Sequence, residues 1–114
     1  MSDDAKAFFT RYEGLFAKVK TAAPNTVSAF GGMFAKIMGD GALSALQKEF
    51  VALGIGVAMH CEPCIRMHVK KCLDAGATRE QILDAASVAV VMAGGPAFTH
   101  LNMVVETLDA LQNK

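Results

Sequence analysis

Charge is the first thing in short supply. Only 19% of the 114 residues are Asp, Glu, Lys or Arg, and eleven bases offset eleven acids. With a sequence pI near 6.8, the chain lacks the positive field that a nucleic-acid-binding protein turns toward phosphates, so no nucleic-acid partner is expected. Cysteine is also scarce. Three residues, an odd count, do not make a disulfide framework. The N-terminus, Met1-Ser2-Asp3-Asp4, has neither the basic nor the apolar part of a secretory signal, and a cytoplasmic location is the expectation. Nor is there an unbroken hydrophobic run of membrane-spanning length. The stretch from Ala85 to Val105 is free of charge, but Gly94-Gly95-Pro96 interrupts it and His100 and Asn102 would put polar groups in hydrocarbon. It reads as a pair of buried helices, with no membrane partner.

What remains is apolar. Hydrophobic residues make up 53% of the chain and the mean hydropathy is +0.33, which excludes general disorder. A chain this short builds one domain over residues 1–114, and one small core cannot cover that much apolar side chain. The surplus points to a homo-oligomer. Seven methionines fit the same picture, as flexible fillers of helix packing.

The apolar residues recur at helical spacing throughout, and the expected fold is an all-α bundle of about six helices. A first helix runs from about Asp3 to Lys20, started by Ser2 and the two acids and striped by Phe8, Phe9, Tyr12, Leu15, Phe16 and Val19. Val27, Phe30, Phe34, Ile37 and Met38 make a second stripe between Pro24-Asn25 and Gly39-Asp40-Gly41. A third helix covers about Ala42 to His60, with Leu43, Leu46, Phe50, Leu53 and Val57 on its buried side. Cys61 to Ala75 reads as a fourth, with Pro63 tolerated in its first turn and Gly76 as its stop. Thr78 and Gln81 form a capping box ahead of Ile82, Leu83, Ala86, Val90 and Val91. Pro96 opens a last helix to about Gln112.

Chemistry concentrates in the fourth helix. At about 100° per residue, Cys61, Cys64 and His68 fall on one face. Cys64 and His68 are four apart, where an imidazole meets a thiol. Cys61 sits at the helix N-terminus, where backbone NH groups and the macrodipole favour thiolate. Two thiols three residues apart with a base nearby suit redox chemistry, in which one cysteine meets an oxidant and the other closes a disulfide on the sulfenic acid. Zinc would need four ligands. The other donors at hand are His60, Cys72 and His100, and Cys72 stands about 16 Å of helix rise from Cys61. No metal is therefore expected, and Cys72 reads as a buried apolar thiol. Glu49, within an apolar run twelve residues before Cys61, reads by local pattern as a solvated position on the third helix.

Glu49, eleven residues, Cys61-Glu62-Pro63-Cys64, three residues and His68, followed by Gly76-Ala77-Thr78-Arg79-Glu80-Gln81-Ile82, together resemble the core of the carboxymuconolactone decarboxylase superfamily. More narrowly, the segment resembles the AhpD-like alkylhydroperoxidase branch, over a motif-bearing core of about residues 42–96. The resemblance implies a helical subunit assembled as a homotrimer or homohexamer, with a thiol peroxidase or disulfide reductase site that needs no cofactor. It implies Glu49 and His68 as a proton relay, Cys64 as the thiol that meets the hydroperoxide, Cys61 as the resolving thiol, and a thiol or dithiol as reductant. The decarboxylase branch generally lacks the cysteine pair, so its activity does not carry over. Some alkylhydroperoxidases have a histidine between the cysteines where this chain has Pro63. Two other readings of the same residues are a redox-sensing or small-ligand-binding module without turnover, and a zinc-binding structural protein.

Overall fold

The computed structural model describes residues 2–112, with the side chains of Ser2 and Asp3 excepted, so the capping expected of those two lies outside the described residues. Six helices follow one another: α1 (Ser2–Ala22), α2 (Pro24–Met38), α3 (Ala45–Ala58), α4 (Glu62–Asp74), α5 (Arg79–Ala93) and α6 (Gly95–Gln112). Their starts and stops have local causes. Pro24 occupies the first turn of α2, where its missing NH costs nothing. Thr78 and Gln81 cap α5 reciprocally, at 3.1 and 2.9 Å. Gly76 and Gly94 take positive φ, 97° and 69°, at the ends of α4 and α5.

The third helix is shorter than its apolar pattern predicts, and the reason is a second capping box. Ser44 Oγ accepts from Gln47 NH at 3.0 Å while Ser44 NH donates to Gln47 Oε1 at 2.8 Å. Asp40 Oδ1 also accepts from Ala45 NH at 2.7 Å. Leu43, expected on the buried face, therefore lies before the helix and is 46% exposed. The helix ends at Ala58, and His60 reverses the chain with φ 57°.

The core is built by α3 to α6, around Leu53, Val57, Ile65, Val69, Cys72, Ile82, Ala86, Val104 and Leu108. Helix α3 packs on both α4 and α5, and α6 closes the group against α4 and α5. Helix α1 joins it along α6, where Ala5 and Phe8 are buried. The second half of α1 and most of α2 stand off. Despite its apolar stripe, α2 buries no residue, and Leu15, Val19, Phe30 and Ile37 keep about half or more of their surface exposed. On α5 the expected stripe is also corrected at one place, since Val91 is 82% exposed. Among the described residues no helix is long and apolar enough to cross a membrane.

Candidate active site

The turn between α3 and α4 fixes the site. Cys61 NH bonds back to Gly56 O at 3.1 Å, and His60 NH to Val57 O at 3.2 Å, which folds α4 back along α3. The two helices approach closely at Gly56. A Cβ there would stand 2.9 Å from the Cys64 Cβ, so only glycine lets Cys64 sit against α3.

Cys61 is not the first helical residue, as the periodicity predicts, but the N-cap of α4. Its Sγ accepts the Cys64 NH at 3.3 Å, the role an oxygen usually fills at this position. Cys61 and Cys64 are joined in a disulfide, with Cα atoms 5.2 Å apart. Both are half-buried and retain contact with solvent. An N-capping sulfur is held where free NH groups favour negative charge.

His68 lies one turn beyond Cys64, and its Nδ1 is 2.6 Å from Glu49 Oε1. A carboxylate can only accept, so Nδ1 carries the hydrogen and Nε2 is left as the basic nitrogen. Glu49 is 8% exposed and the His68 side chain 14%. Phe34, reaching across from α2, stacks on the His68 ring with centroids 6.1 Å apart. Lys71 Nζ lies 4.1 Å from the centroid of the same Phe34 ring.

Cys72 sits one turn beyond His68, fully buried in the core. Burial pushes its thiol up to about 12, and the negative charge of Glu49 adds to the shift. Such a thiol is inert at neutral pH.

Glu49 of α3 and His68 of α4 thus meet across the helix pair, one turn of α4 beyond Cys64, while the Cys61–Cys64 disulfide lies at the turn that joins the two helices. Sequence reasoning missed three supporting residues. Arg66 is 2% exposed; it bonds Glu62, the residue after Cys61, at 2.9 Å, and ties it to Thr107 and Glu106 of α6 at 3.0 and 3.4 Å. The i, i+4 spacing of Glu62 and Arg66 was the available signal. Gly56 and Phe34 gave none, because each acts on a residue far away in sequence.

The carboxymuconolactone decarboxylase family model matches residues 24–107. An uncharacterised protein of Cupriavidus necator is 32% identical, over 97% of this chain and 98% of its own. A carboxymuconolactone decarboxylase family protein from Legionella pneumophila, solved in its apo form, superposes with a TM-score of 0.85 at 29% identity, over 97% of this chain and 96% of its own. A Thermotoga maritima protein of the same family, for which a part in an antioxidative response has been suggested, superposes with a TM-score of 0.71 at 28% identity, over 77% and 91%.

Proposed function

We propose a thiol peroxidase activity for this chain, which belongs to the carboxymuconolactone decarboxylase family. The observation that carries the proposal is the Cys61–Cys64 disulfide at the start of α4 with the Glu49–His68 pair one turn away. In the reduced enzyme, His68 Nε2 takes the Cys64 proton, helped by Glu49 at Nδ1. The Cys64 thiolate attacks one oxygen of the hydroperoxide; the O–O bond breaks, an S–O bond forms, and the alcohol departs with a proton returned by His68. Cys61 then attacks the sulfenic sulfur, the disulfide closes and water leaves. Two electrons have passed from the thiol pair to the peroxide. A small dithiol or a protein dithiol restores both thiols by exchange.

Helix position supports assigning the attack to Cys64. His68 stands four residues from Cys64 in the same helix, which suits Cys64 to attack, and the N-capping place of Cys61 keeps the resolving sulfur next to it. A reducing compartment supplies the dithiol, so we place the enzyme in the cytoplasm.

The chain acts as a single AhpD-like domain in a homotrimer or homohexamer. The support is an apolar outer face on α3 and α5, where Val51, Ile55, Val88 and Met92 are all more than half exposed around a shallow groove of about 450 Å³. Exposed apolar area of that kind is covered in stable oligomers. Steady consumption of hydroperoxide with a dithiol present, many turnovers per chain, is the test. One stoichiometric oxidation followed by silence would instead describe a redox sensor.

A further inference from the structure

We infer that the cleft between α1 and α2 seats the organic part of the substrate, and that it takes a hydroperoxide of a long-chain carboxylic acid, with the carboxylate at Arg11. The inference rests on the thiol peroxidase reading for the reacting group, though not for the binding itself.

The cleft encloses about 470 Å³, within the range of small-molecule sites. Its walls are Phe8, Tyr12, Leu15, Phe16, Val27 and Phe30, together with Glu62 and Pro63. Those last two are the residues between the cysteines, so this wall of the cleft is continuous in the chain with the redox pair, although neither sulfur lines it. From Phe8 to Val19, both on its wall, α1 advances about 16 Å. A long apolar trough suits an extended chain. Leu15, Phe16 and Phe30 are 51%, 45% and 60% exposed, which leaves apolar area for a ligand to cover.

Two ionised side chains border the trough. Glu62 is engaged by Arg66 at 2.9 Å, inside a network anchored on α6. Arg11 lies with its guanidinium 5.9 Å from the Phe8 ring centroid, at the solvent margin of the apolar wall. A carboxylate is the head group that a guanidinium recognises with two parallel bonds. An apolar tail ending in an acid therefore matches both parts of the cleft.

The chain offers its own probe. Tyr12 is its single tyrosine, there is no tryptophan, and Tyr12 stands in the cleft wall. Dodecanoate, kept below its micelle threshold, is titrated into the oxidised protein while Tyr12 emission is followed. A saturable change is expected, with dodecyltrimethylammonium binding about tenfold more weakly. Arg11→Gln should weaken dodecanoate by about two- to fivefold, as for an exposed ion pair. Leu15→Asp should weaken it by about tenfold or more, by placing charge in the apolar trough, with helicity and oligomer mass unchanged. Equal binding of the carboxylate and the ammonium, or no saturable signal, overturns the inference. So does a change of oligomer mass in Leu15→Asp, which would mark the cleft as a subunit contact. Hydrogen peroxide and a chain hydroperoxide of dodecanoic acid are then given to the reduced protein. Thiol loss with hydrogen peroxide but no dodecanoate binding overturns the cleft and leaves the peroxidase reading standing. Dodecanoate binding with no thiol loss under either peroxide supports the cleft and overturns the peroxidase reading.

Discussion

Helices α3 and α2 both carry apolar stripes, yet one is built into the core and the other buries nothing. Leu53 and Val57 of α3 are fully buried, Gly56 lets α4 press against it, and Glu49 points into the contact. On α2, Phe30, Met33 and Ile37 are 60%, 49% and 58% exposed, and Phe34 alone reaches the site, by stacking on His68. Amphipathic spacing therefore says that a helix has a face to cover, and not what covers it. In this molecule the tightly packed half holds the disulfide and the Glu49–His68 pair, and the loosely packed half leaves its apolar side chains exposed.

That contrast breaks most sharply at the thiols. Cys64→Ser should abolish hydroperoxide-dependent thiol oxidation and leave no sulfenic acid to trap. Cys61→Ser should leave a trappable sulfenic acid on Cys64, because the attacking thiol survives without its partner. The opposite pattern in a sulfenic-acid trapping experiment would exchange the two roles.

A smaller loss is expected one step away. Glu49→Gln should slow single-turnover oxidation by roughly 10- to 1000-fold with the fold intact, the range for a lost acid–base partner. His68→Ala should behave alike, and the double variant should cost less than the product of the two, since a relay acts as a unit. A wild-type rate in Glu49→Gln, measured by rapid mixing, would make Glu49 a packing residue.

Stability then compares the two halves directly. Gly56→Ala should cost about 1–3 kcal/mol, because the added Cβ meets the Cys64 Cβ at 2.9 Å. Met33→Ser on α2 should stay within about 0.5 kcal/mol in denaturant unfolding. A large cost at Met33 would show that α2 is packed against another surface in solution.

The last effect is confined to alkaline pH and concerns Cys72. Its thiol is pushed up to about 12 from an ordinary 9.0, chiefly by burial and further by Glu49. Between those values the native state keeps a proton that the unfolded chain has lost, so stability falls as pH rises from about 9 toward 12. Cys72→Ala should flatten that alkaline slope in thermal melts, and the native thiol should resist alkylation at pH 8. A Cys72 that alkylates readily in the folded protein would contradict its placement in the core.

Much of this molecule was legible in the sequence because much of it is local. The capping box at Thr78, Pro63 in the first turn of α4 and Gly76 just past its end are decided by a few neighbouring residues. The same rule applied to Ser44 and Gln47 would have started α3 correctly, but the apolar Leu43 extended the stripe past its cap. Cys61 shows the limit of periodicity, since spacing alone does not separate an N-cap from a first helical residue. Glu49 shows the limit of locality. Its pattern on α3 is that of a solvated acid, and it meets His68 only because His60 reverses the chain and Gly56 lets the helices close. The likeness to a known motif pointed to Glu49, where physical reading of the segment did not. The half-exposed stripe of α2 was equally opaque, because what a helix packs against is settled by the rest of the fold.

Reduction of hydroperoxide by the Cys61–Cys64 pair is tested most directly by counting thiols. Free thiols are counted on the reduced protein before and after one equivalent of hydroperoxide, and the product is mapped by peptide mass spectrometry. The expected result is the loss of two thiols per chain, a Cys61–Cys64 disulfide and a reduced Cys72. No thiol loss, or a principal disulfide that contains Cys72, would contradict it.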